Sequence, residues 1–129
     1  MDTTEKVSVN MNIATISQID LLIDKGYYSN RSDCINQAVR QLLDEKSAII
    51  EEAGRRQKEL DFQWFIGLMS LGRDDLLHAK EQGQKLRIKG YGLLGIDSGL
   101  DDLVLENVES ITVRGKVLCS PQIKKRFQL

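Results

Sequence analysis

Residues Lys6–Asn12 read KVSVNMN and alternate without a break. Val7, Val9 and Met11 fall on one side, and Lys6, Ser8, Asn10 and Asn12 on the other, which is the period of a half-buried strand. The roughly fifty residues that follow carry helical periodicity instead, so the strand has no neighbour nearby in its own chain. An unpaired strand with a buried face leaves N–H and C=O groups unsatisfied, which is costly. No other feature constrains the fold as strongly, because the segment must borrow a partner. A second copy of the chain can supply one. Two such strands about a twofold axis run antiparallel, with Val7, Val9 and Met11 of both turned toward helices and the polar faces side by side outside.

The next signals are local. Asn12 is placed to cap a helix from about Ile13 to Lys25, with Ile16, Ile19, Leu22 and Ile23 on one face. Gly26 stops it. After the short connector Tyr27-Tyr28-Ser29, Asn30 is a second N-cap, with Asp33 as its capping-box partner. Ile35, Ala38, Val39, Leu42 and Leu43 then form the strongest helical stripe in the chain. A looser seam through Ile49, Ala53 and Leu60 predicts a helical connector to about Phe62, with Gly54 as its weak point and a candidate boundary.

The remainder has a different texture. Trp64–Leu71 fits a strand or a packed helix end, and Arg73–Gln82 a helix. Leu86–Leu93 (LRIKGYGL) is echoed twenty-five residues later by Ile111–Leu118 (ITVRGKVL), which predicts two equivalent strands of one sheet. Two copies fall short of the roughly three that a solenoid needs. Leu100–Glu109 reads as helix or tight loop, and Ser120-Pro121 as the cap and first residue of a last helix. The expected organisation is therefore a module over 1–46, a helical connector over 47–62 and a small α/β unit over 63–129.

At 129 residues, 41% hydrophobic and 29% charged, the chain has the composition of a globular protein. No apolar run approaches the ~18–20 residues of a membrane span. The opening MDTTEK lacks the order of a secretory signal, so a cytoplasmic location with reduced Cys34 and Cys119 is expected. His78 is the only histidine, too few for a metal centre of His and Cys ligands. No nucleophile, base and orienting group can be assembled, so neither catalysis nor a cofactor is expected. Gly90, Gly92 and Gly95 fit no phosphate loop or dinucleotide fingerprint and read as kinks or close-packing sites.

The order of KVSVNMN, an amphipathic helix and GYYSNRSDCINQAV resembles the ribbon-helix-helix family of the Arc, MetJ and CopG type over residues 6–46. Residues 63–129 resemble no family. The resemblance implies an α+β protein: an intertwined ribbon-helix-helix dimer followed by the small C-terminal α/β unit. It also implies a sequence-specific DNA-binding regulator, a repressor, whose two-stranded ribbon enters the major groove of double-stranded DNA.

Carried over by position, Lys6, Ser8 and Asn10 are the base-reading residues, and their donors and acceptors suit that task. Ser29, Asn30, Arg31 and Ser32 are the phosphate-gripping start of the second helix. Val7, Val9, Met11, Ile35, Val39 and Leu42 are the dimer core. Residues 1–46 hold five Lys/Arg against seven Asp/Glu, a net charge of −2, and Asn10 stands where the family commonly has Arg or Lys. One module should therefore bind DNA weakly, and a dimer of dimers joined through residues 63–129 is one remedy. Two rival readings are an antitoxin, whose tail captures a toxin protein, and a structural assembly protein that binds no DNA. A small effector is a further candidate partner of the C-terminal unit.

Overall fold

Cap and turn residues mark where several of the helices begin and end. The computed structural model describes residues 4–129. The reading of the leader rests partly on Met1, Asp2 and Thr3, which lie outside them. Six helices and three strands occur among the described residues: α1 (Ile13–Asp24), α2 (Arg31–Glu45), α3 (Ser47–Glu59), β1 (Gln63–Leu71), α4 (Arg73–Gln82), β2 (Leu86–Ile96), α5 (Asp101–Asn107), β3 (Val108–Leu118) and α6 (Pro121–Phe127). Their contacts fall into two units, residues 1–48 and 49–129.

In the N-terminal unit, Asn12 begins α1, its side-chain oxygen accepting from the Ala14 N–H at 2.8 Å. The helix ends in a Schellman turn: the Gly26 N–H donates to Ile23 and the Tyr27 N–H to Leu22. Gly26 makes this possible with φ +88°, a conformation that other residues adopt at a cost. Cys34, on α2, is the only buried residue among those described in this unit. The helix then breaks at Lys46 and restarts as α3.

Gly54, read from the sequence as a weak point, lies inside α3. A Cβ there would come within 2.8 Å of the Trp64 indole nitrogen, so the glycine admits a ring rather than ending a helix. Its small size serves packing, which outweighs the propensity cost of about 1 kcal/mol.

The C-terminal unit repeats one motif. A strand leads into a helix three times, and the strands lie in the order β1-β2-β3, all parallel. Helices α4, α5 and α6 pack successively against one another. Each contributes one fully buried aliphatic, Leu76, Val104 or Ile123, to a core completed by Phe65, Leu71, Ile88, Leu94, Ile96 and Ile111. Full burial of such a side chain stabilises by about 1.5–3 kcal/mol, so this unit has the core that the N-terminal unit lacks.

The sequence echo is corrected in two respects. A third copy exists, β1 with α4, so the number of repeats reaches what a solenoid needs. The pairing also differs from the echo by two residues: Gly115 sits beside Gly92, not Gly90. Gly67, Gly92 and Gly115 form one row across the sheet, all with positive φ. A Cβ on Gly92 would fall 2.1 Å from the Gly67 carbonyl oxygen, and one on Gly115 would fall 2.0 Å from that of Gly92. Backbone contact across this row therefore sets the register, which the side-chain pattern did not reveal. Gly90 is a close-packing site, because a Cβ there would meet the Phe65 ring at 2.3 Å.

Candidate nucleic-acid interface

Residues 4–12 form no strand pair among the described residues. Lys6, Ser8 and Asn10 are exposed, and so are the aliphatics that alternate with them: Val7 is 76% and Val9 69% accessible. Met11 is half-buried where the segment enters α1. On α2, Val39 and Leu42 are likewise exposed and Ile35 is half-buried. Of the six expected dimer-core residues, one chain thus leaves four exposed and two half-buried.

The second group of expected site residues meets at the start of α2. Asn30 caps it, accepting from the Asp33 N–H at 2.8 Å. Asp33 returns the favour one residue earlier than a standard capping box would, accepting from the Ser29 N–H at 3.0 Å. It also accepts from the Gln37 side chain at 2.9 Å. The Ser29 N–H, and then the Gln37 amide, hold the Asp33 carboxyl below the usual carboxylate range. The Arg31 and Ser32 N–H groups, first in the helix, have no intrahelical acceptor and mark its positive end. Ser29, Asn30, Arg31 and Ser32 are thus gathered by one cap, with α1 between them and the Lys6–Asn10 segment in sequence.

One residue of this site went unnoticed in the sequence. Asp20, on α1, holds Arg31 in a two-bond fork: Nε donates to Oδ1 at 2.9 Å and Nη2 to Oδ2 at 2.8 Å. Hydrogen bonding from Arg31 keeps the Asp20 carboxyl below its ordinary value. The two residues lie eleven apart across the Gly26 turn, a separation that no helical spacing rule connects.

His78 is exposed on α4, and no cluster of metal-binding side chains occurs among the described residues. Cys34 is buried as a small apolar filler, while Cys119, just past β3, is partly buried, and that burial raises its thiol pKa. No helix among the described residues is long and apolar enough to cross a membrane.

A polar, alternating segment followed by two capped helices is the order of elements expected of a ribbon-helix-helix module. Residues 2–124 match the model of the ribbon-helix-helix transcriptional regulator family, and the chain belongs to that family. The match extends well beyond the first two helices, through all three strands and into α6. The C-terminal unit, which the sequence resembled to nothing, is therefore part of this family's architecture. No curated protein and no solved structure matches the chain.

Proposed function

We propose that the chain is a sequence-specific DNA-binding repressor that works as a homodimer, its paired Lys6–Asn12 segments entering the major groove. The observation that carries this reading is the exposure of Val7 and Val9 beside exposed Lys6, Ser8 and Asn10 in an unpaired segment. A twofold partner satisfies the backbone, covers the aliphatics and gathers six polar side chains on one ribbon. Lys6, Ser8 and Asn10 then read base edges, and the α2 starts grip the flanking phosphates and fix the depth of the ribbon.

The C-terminal unit joins dimers into larger assemblies on adjacent sites. Supporting this, the sheet face opposite the core side chains Phe65, Leu71, Ile88 and Leu94 exposes Ile66, Leu68 and Tyr91. The same unit speaks against the antitoxin reading, since a tail that folds on a toxin has no core of its own, and this one has. Selecting bound sites from random double-stranded DNA tests the proposal, with the mass of the enriched complex giving stoichiometry. Enrichment of a near-palindromic site carrying two or four chains is the expected result. A library from which no sequence is enriched would leave the assembly protein as the reading.

A further inference from the structure

We propose that Asp20 sets the DNA affinity of this chain by competing with backbone phosphate for the Arg31 guanidinium. The inference rests on the functional reading above and adds a residue to it. Arg31 is the only Lys or Arg in the Ser29–Asp33 segment that starts α2. Its planar fork fits carboxylate and phosphate by the same two-bond geometry, and here the carboxylate has it.

The pair is well exposed, with side chains 55% and 44% accessible. Ion pairs so exposed contribute little to stability, so folding does not require this one. Its effect on binding is larger. An Arg31 that moves to phosphate releases a cation condensed on the DNA, but the vacated Asp20 carboxylate draws one back from solution. Part of the counterion release that drives binding is thereby cancelled. In a module whose net charge is already −2 over residues 1–46, that loss falls where the attraction to DNA is weakest.

The test compares the parent chain with D20N, R31A and D20N/R31A. Binding to the site selected by the parent is followed by fluorescence anisotropy across a salt series. D20N should bind about tenfold more tightly at low salt, with a slope of log K against log salt steeper by up to about 1.8 for the two Arg31 copies of a dimer. D20N/R31A should bind no better than R31A. Retention on heparin, a sulfated polyanion, reads the same competition without a DNA site, and there D20N should elute at higher salt than the parent while D20N/R31A should not.

If the parent selects no site but the heparin order holds, the DNA reading falls and the competition stands. If a site is selected and D20N binds it equally or more weakly, the competition falls and the DNA reading stands. Weaker binding by D20N would identify Asp20 as a group that aims Arg31 at phosphate rather than withholding it.

Discussion

Val9→Ala offers the most direct test of the proposal that a second copy of the chain covers the N-terminal aliphatics. Val9 is 69% accessible in one chain. The substitution removes two methyl groups, worth about 1.6 kcal/mol if fully transferred from water. Scaled by that accessibility, the loss on pairing is about 1.1 kcal/mol per chain, or about 2 kcal/mol for the two copies in a dimer. Since 1.4 kcal/mol is tenfold in an equilibrium constant, the dimer dissociation constant should rise about thirtyfold. Sedimentation velocity over a dilution series reads this, and the folded state of the C-terminal unit serves as an internal control. Ser8→Ala, on the opposite side of the same segment, should leave the dissociation constant within about twofold, as surface changes usually do. If Val9→Ala dimerises as tightly as the parent, Val9 is not buried between copies and the ribbon is not what joins them.

Asn10→Ala should flatten sequence preference in site selection, whereas Arg31→Ala should weaken all DNA alike and reduce the salt dependence; equal effects of the two would refute the division between base and phosphate contacts. Gly92→Ala should destabilise the C-terminal unit by about 3 kcal/mol or more, from strain at positive φ and overlap with the Gly67 carbonyl. Gly95→Ala, with nothing within 4 Å of the added Cβ, should change stability by less than about 1 kcal/mol; urea unfolding separates the two. The lowered Asp33 pKa makes its folded carboxylate stabilising above its unfolded value of about 3.9, a contribution lost as pH falls through the depressed native value. Asp33→Asn should therefore flatten the acid limb of stability below about pH 4, measured by far-UV circular dichroism.

Where a residue's role depends on its immediate neighbours, it could be read directly. Asn12, Gly26, Asn30 and Ser120-Pro121 all act within one helical turn, and each begins or ends a helix as its chemistry demands. The stripe on α2 was equally plain, because a helix repeats its faces at fixed spacing. The third βα repeat was harder to see. Its strand, QWFIGLMSL, shares with the other two a single glycine in register, Gly67, and the echo between the others was anchored on Gly90 instead of Gly92. A row of backbone contacts leaves almost no side-chain trace. Gly54 was misread for the same reason, since the Trp64 ring that it admits lies ten residues further along.

Local chemistry along the chain thus determined its helices, their caps and the alternation of Lys6–Asn12. Tertiary structure alone decided which glycines align across the sheet, which helix yields to an indole, and which carboxylate takes hold of Arg31. Caps and amphipathic faces are set by residues a few positions apart. Registers and ion pairs across a turn are set by where the backbone brings distant residues, and short-range spacing carries no record of that.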